Sequence, residues 1–165
     1  MRGKNGVDAI VFRPGRPGDY PAALAIQRRA YAAKEVPLYG SNLPPLLETP
    51  KTLAEEIAAG KRLFVGECEG EIVASIRIEE LEDGEIHFCR LSVEPARQGR
   101  GIGQRLILAT EAACPEAKSF VLDCGEQSVE NFHIYRKLGY LETGRAFQVP
   151  DGPKCLEMRK KKRPD

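Results

Sequence analysis

The sequence has no tryptophan and only two histidines, and it contains no long apolar run. A helix that crosses a bilayer needs about 20 consecutive apolar residues, so a transmembrane helix is excluded. The amino-terminal stretch MRGKNGVDAI lacks the apolar core of a secretory signal. We therefore expect a cytoplasmic protein that does not bind membranes.

The cysteines are odd in number and too widely spaced to form a C-x-x-C pair. With only two histidines beside them, this pattern excludes a zinc site of the usual ligand spacing and a disulfide framework. We interpret them as small buried hydrophobic residues in a reducing compartment, and we expect no metal. They are Cys68, Cys89, Cys114, Cys124 and Cys155.

Basic and acidic side chains nearly balance, with 25 Lys and Arg against 24 Asp and Glu. Because domains that bind nucleic acid usually carry a strong basic excess, we expect no nucleic-acid partner. The 165 residues suffice for one globular domain with a real core. We assign residues 8–160 to this domain, residues 1–7 to a flexible leader and residues 161–165 to a basic tail.

Hydrophobic periodicity and turn residues predict strands and helices mixed in one unit. Asp19 is expected to cap the first helix, Thr52 to open the second and Ser128 to cap the last. Four prolines and a glycine in 36–50 exclude a single long helix there. The predicted strands are 8–13, 62–67, 71–79, 85–93, 118–124, 141–149 and 154–159, and the predicted helices are 19–33, 52–59, 102–114 and 128–138.

The segment QGRGIG, from Gln98 to Gly103, follows a predicted strand and opens a predicted helix. Glycines let a ligand approach the backbone closely, and the N–H groups at a helix start can bind a pyrophosphate. A P-loop is excluded because Gln104 and Arg105 follow Gly103, and G-x-G-x-x-G fails because Gln104 takes its last position. The pattern Q/R-x-x-G-x-G/A fits, and the alternative is a tight turn that binds nothing.

The wider stretch at 91–107, LSVEPARQGRGIGQRLI, resembles the acetyl-CoA signature of the GNAT superfamily, the Gcn5-related N-acetyltransferases. A second block, from Asn131 to Tyr140, is similar to the family's N-x-x-x-Y-x-K-x-G-F/Y motif, and the element order matches over residues 8–159. The resemblance implies an α/β (α+β) fold: a mixed, mostly antiparallel twisted sheet of about seven strands. Four helices would cover both faces, and two central strands would splay apart.

The resemblance also implies that acetyl-CoA is the cosubstrate and lies in the gap between the splayed strands. Backbone groups of Leu91, Ser92 and Val93 would pair with the pantetheine arm like a missing strand. Asn131 and Tyr135, four positions apart on one helix face, would reach the same gap. The pyrophosphate would lie on the glycine-rich loop, which consists of Gln98, Gly99, Arg100, Gly101, Ile102, Gly103 and Gln104.

Members of the family transfer the acetyl group directly to an amine in a ternary complex. Tyr135 stands where many of them place the acid that protonates the leaving thiolate, and packing of the helix is the alternative role. The base is open between His87 and Glu85, which are predicted to share a face with Leu91 and Val93. His87 takes the position where some members carry a glutamate, and a structural role for it is equally open.

The acceptor pocket is expected in the segment 31–50, on Tyr31, Glu35 and Tyr39, with Glu48 as a further acid that can hold a cationic amine. A proline-rich loop that only covers the sheet is the alternative. We expect an N-acetyltransferase for a primary amine of a small molecule or peptide, acting as a monomer or homodimer. The alternatives are a non-catalytic acyl-CoA sensor or interaction module, and an enzyme for protein N-termini or lysines.

Overall fold

The computed structural model describes residues 9–163, and its centre is a sheet of seven strands in the order β1-β2-β3-β4-β5-β7-β6. Only the β4–β5 pair is parallel, and every other neighbouring pair is antiparallel. This confirms the predicted fold class. The strands are β1 (Val11–Pro14), β2 (Arg62–Cys68), β3 (Glu71–Glu80), β4 (Glu85–Val93), β5 (Ser119–Gly125), β6 (Leu141–Gln148) and β7 (Lys154–Lys161).

Five α-helices accompany the sheet in the described part of the chain, one more than predicted. The additional helix is a single turn, α2, which begins after Glu35 and ends at Gly40, whose φ is +84°. Pro37, its second residue, has no N–H to donate to the preceding turn, so α2 does not continue α1. The helices are α1 (Tyr20–Lys34), α2 (Val36–Tyr39), α3 (Pro50–Ala58), α4 (Ile102–Ala112) and α5 (Val129–Lys137).

The helix starts differ from the expected caps. The carboxylate of Asp19 does not cap α1; it accepts hydrogen bonds from the side chain of Arg13 and the backbone N–H of Arg16. The cap of α3 is Thr49, whose hydroxyl accepts the N–H of Thr52 at 3.2 Å, so this helix begins before Thr52. Ser128 makes no cap bond to α5 either, because its hydroxyl is engaged elsewhere.

Apolar side chains fill the two faces of the sheet unequally. The larger cluster lies under α4 and α5 and includes Ile76, Phe88 and Leu106, all at most 3% exposed. The smaller cluster lies under α1 and α3 and includes Ala23 and Val65. The second face is therefore free to hold polar groups close to the sheet.

The two central strands part after a short parallel pairing. β4 and β5 pair from Glu85 opposite Ser119 to Phe88 opposite Leu122, and no residue beyond these two is paired between the strands. The rest of β4 and the rest of β5 therefore border a gap. This confirms the expected splay of the central strands.

A β-bulge in β4 changes which face its last residues occupy. Cys89 pairs with Arg77 of β3 and Ser92 pairs with Ser75, so β4 carries one residue more than β3 in this interval, and Arg90 has a φ of +57°. An extra residue shifts the two-residue alternation of a strand by one position. The expectation that residues 85, 87, 89, 91 and 93 share one face is therefore wrong.

The bulge places Leu91 and Val93 on a different face of the sheet from His87 and Glu85. Leu91 and Val93 pack against the larger core beside α4, together with the side chains of Ile86 and Phe88. His87 and Glu85 remain on the opposite face, which α1 covers.

At the ends of the chain, the predicted leader 1–7 lies outside the described residues. Of the predicted basic tail, Lys161 is the last residue of β7, and the N–H of Lys162 donates to the carbonyl of Lys118 at 2.9 Å. Within residues 9–163, no helix is both long and apolar enough to cross a membrane.

Candidate active site

The glycine-rich loop leads directly into α4. Gly99 and Gly101 have φ values of +79° and +77°, and Gly101 occupies the cap position of α4 in the left-handed conformation. A side chain at either position would be strained by the backbone, although space is open around both. The first N–H groups of α4 have no partner within the helix, so the loop presents donors at the positive end of the helix dipole.

Gly103 fits the expected contact between this loop and β4. A Cβ atom there would meet Val93 Cγ2 at 3.5 Å and Leu91 Cδ2 at 3.8 Å, which are ordinary contact distances. The packing of the protein alone therefore does not require glycine at 103, whereas a ligand lying on the loop would favour it. Gln98 donates from Nε2 to the carbonyl of Val93 at 3.2 Å and so ties the loop to the end of β4.

Of the other loop residues, Ile102 is buried and anchors the first turn of α4, Gln104 is half-buried, and Arg100 is exposed. Ser92 is buried, and its hydroxyl donates to the carbonyl of Arg90 at 3.2 Å, which supports the bulge. Arg90 and Leu91 have no partner in the β3 register, and β5 has already parted from β4. Their backbone groups therefore border the gap, as pairing with a pantetheine arm requires.

Asn131 and Tyr135 lie one turn apart on α5, next to the other side of the gap. Tyr135 packs edge-on against Tyr140, with 6.3 Å between ring centroids. Its hydroxyl makes no hydrogen bond with any of residues 9–163, yet no fully buried side-chain oxygen or nitrogen there lacks a partner. The hydroxyl is therefore not fully buried.

Burial raises the pKa of Tyr135 well above its usual value, and the neighbouring Cys124, Tyr31 and Glu35 raise it further. A phenol in this environment remains protonated at and above neutral pH, so the proton is present, but the raised pKa also makes Tyr135 a weaker acid than a free phenol. Burial likewise raises the pKa of the Cys89 thiol, which argues against a thiolate nucleophile at this point of β4.

The expected acceptor residues meet the junction between β5 and α5. The Tyr39 hydroxyl lies 2.8 Å from Ser128 Oγ and accepts the N–H of Gln127 at 3.0 Å, and Ser128 Oγ donates to Glu35 Oε2 at 3.2 Å. A Cβ on Gly125 would collide with the Tyr39 hydroxyl, which explains the glycine at the end of β5. These contacts attach Tyr39, the last residue of α2, to the junction between β5 and α5.

Glu35 and Tyr31 lie within this region. Burial raises the pKa of Glu35, although the Ser128 hydrogen bond and the charge of Lys34 oppose the shift. Burial raises the pKa of Tyr31 to about 12, opposed by the charge of Arg90. Ser128 thus links Tyr39 to Glu35, and both Glu35 and Tyr31 interact electrostatically with Tyr135.

Glu48 does not belong to an acceptor pocket. Its carboxylate binds the guanidinium of Arg77, which is 2% exposed, and the Nε of Arg90 at 3.0 Å, and it accepts a hydrogen bond from Gln27 at 2.6 Å. Burial alone would raise the pKa of Glu48, but the two arginines and Gln27 hold it at about 2. The Glu48 carboxylate is already paired with two arginines. The expectation that Glu48 binds the amine of the acceptor is therefore wrong.

His87 lies beside a carboxylate that sequence reasoning did not single out. Its Nε2 is 2.8 Å from Oδ2 of Asp123 on β5, and both side chains are about one quarter exposed. A carboxylate only accepts hydrogen bonds, so Nε2 is the donor in this contact, and in a neutral imidazole this tautomer places the lone pair on Nδ1. An acidic residue inside the apolar strand KSFVLDC was the one signal that pointed to Asp123.

Glu85 is held at the paired end of β4 and β5, away from the gap. It accepts hydrogen bonds from Arg159 Nε at 2.7 Å and from Ser119 Oγ at 2.9 Å. The Arg159 hydrogen bond is the main reason that its pKa is lowered. A lowered pKa makes Glu85 a weak base, and its carboxylate already accepts hydrogen bonds from Arg159 and Ser119. Both observations argue against Glu85 as the base. Among the described residues, no group of three or more His, Cys, Asp or Glu is arranged to hold a metal ion.

Comparisons with solved structures show what this chain resembles. A PaiA N-acetyltransferase from Thermoplasma acidophilum, in complex with coenzyme A, aligns with a TM-score of 0.78 at 18% identity over 93% of this chain and 99% of that one. The ribosomal-protein-S18-alanine N-acetyltransferase from Escherichia coli gives 0.74 at 19% identity, over 92% and 93%. A spermidine N-acetyltransferase chimera from Vibrio cholerae and hSSAT gives 0.72 at 17% identity, over 92% and 95%.

At these identities the neighbours establish the fold alone. No curated protein matches the sequence. A family model, described as an acetyltransferase (GNAT) domain, matches residues 31–162, which is most of the chain. The chain belongs to the GNAT acetyltransferase family.

Proposed function

We propose that the protein transfers the acetyl group of acetyl-CoA to a primary amine by direct attack in a ternary complex. The observation that carries this proposal is the gap that opens beyond Phe88 and Leu122, with the glycine-rich loop at one end and Tyr135 beside it. The residues fit the cosubstrate. Amides of residues 99–104 would hold the pyrophosphate, and the backbone at 90–93 would pair with the pantetheine arm.

The amine must lose a proton before it can attack, because an alkylamine is protonated near neutral pH. His87 is the base that we assign, since its Nδ1 lone pair is free while Asp123 holds Nε2. Asp123 acts as a positioning residue that fixes the ring and its tautomer. The same carboxylate stabilises the imidazolium that forms when His87 takes the proton.

The attack forms the C–N bond of the amide and breaks the C–S bond of the thioester, so a thiolate leaves. We assign Tyr135 as the acid that protonates this thiolate. Its hydroxyl is protonated, makes no hydrogen bond with a described residue and lies beside the gap. The unpaired backbone N–H groups at the bulge would stabilise the developing oxyanion. The proton lost by the amine thus rests on His87, and the thiol takes its proton from Tyr135.

The proposal is tested with purified protein, acetyl-CoA and a panel of primary amines. Calorimetry measures acetyl-CoA binding, thiol release measures turnover, and mass spectrometry identifies the acetylated product. We expect acetyl-CoA binding together with amine-dependent thiol release. A protein that binds acetyl-CoA but acetylates no amine, peptide or protein would instead be a non-catalytic acyl-CoA sensor.

A further inference from the structure

The side chains of Tyr31, Arg90 and Tyr135 each carry polar atoms without a partner among the described residues, and electrostatic interactions link Tyr31 to both of the others. Among residues 9–163, the hydroxyls of Tyr31 and Tyr135 make no hydrogen bond, and Arg90 makes one, from Nε to Glu48. None of them is fully buried, because every fully buried side-chain nitrogen or oxygen in this part of the chain has a partner. Each of these groups therefore keeps some solvent-accessible area.

The guanidinium of Arg90 is the charged member of this group. Its Nη1 and Nη2 carry four N–H donors that no described residue accepts, and the side chain is 28% exposed. Arg77 differs in this respect, because Glu48, Glu56 and Gln27 accept from both of its Nη atoms. The Nη donors of Arg90 thus remain available to a ligand, and the guanidinium lies close enough to Tyr31 to interact with it electrostatically.

The position of Arg90 indicates which substrate its donors meet. The bulge places Leu91 and Val93 on the α4 side, where the loop for the pyrophosphate lies. Arg90 reaches the opposite side, because it binds Glu48 in the segment between α2 and α3. A group bound there enters from the acceptor side, and the pantetheine arm carries no charge that a guanidinium would pair with.

We infer that the acceptor amine also bears an anionic group, most simply a carboxylate, and that Arg90 is the specificity-determining residue that binds it. This inference rests on the acetyl transfer proposed above. Glu35 supplies the complementary charge near the same gap, where its carboxylate accepts one hydrogen bond, from Ser128. A site with a guanidinium and a carboxylate suits a substrate of amino-acid type, because each charge of the substrate finds its opposite.

The test compares matched pairs of acceptors: ω-amino acids of increasing chain length and their carboxamides. Wild type, Arg90→Gln and Arg90→Lys are assayed for kcat and KM, and calorimetry measures acceptor binding to the complex with coenzyme A. Arg62→Gln is the matched control, since Arg62 also pairs with one glutamate, Glu80, but lies at the start of β2. Melting temperature and acetyl-CoA affinity establish that each variant is folded.

We expect wild type to prefer the carboxylate member of at least one pair. Arg90→Gln should raise its KM by about 10- to 100-fold, the range of one charge-assisted contact, with little effect on the carboxamide. Arg90→Lys should retain part of the preference, and Arg62→Gln all of it. Equal losses for both members of each pair would make Arg90 a general structural or oxyanion-binding residue and would overturn the inference.

Acceptor binding separates this inference from the proposed function. Carboxylates that bind in an Arg90-dependent manner without being acetylated would overturn the acetyl transfer and leave the anion site standing. Acetylation of carboxamides or plain amines in preference to carboxylates would support the transfer and overturn the anion site. If no member of either series binds or reacts, an acceptor of amino-acid type is excluded.

Discussion

His87 Nε2 and Asp123 Oδ2 lie 2.8 Å apart across the splaying strands, although 36 positions separate the two residues in the chain. The parallel register places His87 opposite Val121, so Asp123 follows on the same face of β5. This contact assigns the protonated nitrogen of the imidazole. It also predicts that the two residues act as one unit.

Replacing His87 by Gln should lower kcat by about 10²- to 10⁴-fold, the usual contribution of a general base. Asp123→Asn should lower kcat by less, because the base remains but its tautomer is no longer fixed. The double variant should be no slower than His87→Gln alone, as expected for coupled residues. Rates near neutral pH check this, and multiplicative losses in the double variant would show that the residues act independently.

Tyr135→Phe should lower kcat by about 10²- to 10⁴-fold and change acetyl-CoA affinity by less than about tenfold, because it removes an acid and keeps the ring. Tyr140→Phe is the control. Tyr140 is also buried, and its hydroxyl donates to Glu111 at 2.7 Å, so its loss should lower stability and leave kcat unchanged. Stopped assays of thiol release and direct binding of acetyl-CoA separate the two effects. A Tyr135→Phe enzyme within twofold of wild type, with chemistry rate-limiting, rules the role out.

The pH dependence of the same step follows from the raised pKa of Tyr135. An acid whose pKa is raised keeps its proton as pH rises through the usual range of a phenol, near 10. Wild-type kcat should therefore show no decline attributable to Tyr135 between pH 8 and 10. The measurement is a profile of kcat against pH. A loss of kcat near pH 10 that is absent from Tyr135→Phe would contradict the raised pKa of Tyr135.

Gly101→Asp should abolish most of the affinity for acetyl-CoA. The carboxylate would repel the pyrophosphate at the start of α4. Aspartate tolerates a left-handed backbone better than most residues, and no atom obstructs it, so the fold should survive. Gly70→Asp is the matched control, because Gly70 has a φ of +81° and equally open space in the β2–β3 turn. Calorimetry that finds equal affinity in both variants would show that the loop does not bind the cosubstrate.

Glu48→Gln should lower the free energy of unfolding near neutral pH by up to about 3–5 kcal/mol, because it leaves the buried charge of Arg77 with fewer partners. Since folding holds the pKa of Glu48 at about 2, its stabilising contribution is present above pH 4.5 and is lost as pH falls towards 2. The difference from wild type in urea unfolding should therefore shrink at low pH. Glu142→Gln, which breaks an exposed pair with Arg136, is the control and should cost less than about 1 kcal/mol.

Local sequence patterns were sufficient for the seven strands, for four of the five described helices and for the glycine-rich loop. Alternating apolar residues predicted the strands, and the glycines at 99, 101 and 103 marked the start of α4, because both signals depend on neighbours a few positions away. The family motifs at 91–107 and 131–140 then gave the topology and the splay, which the register of β4 and β5 confirms.

Long-range contacts decided the site. Strand alternation placed Leu91 on the face of His87, but the bulge at Arg90 reversed it, since one extra residue inverts every later side chain. The partners of Glu48 and Glu85 lie 29 and 74 positions away at Arg77 and Arg159, so neither carboxylate could be excluded from the sequence. Charge and burial at a side chain are set by what the fold packs against it. The sequence by itself therefore determined most of the elements and the family, and only the tertiary structure decided which of the acids, bases and cations are available for chemistry.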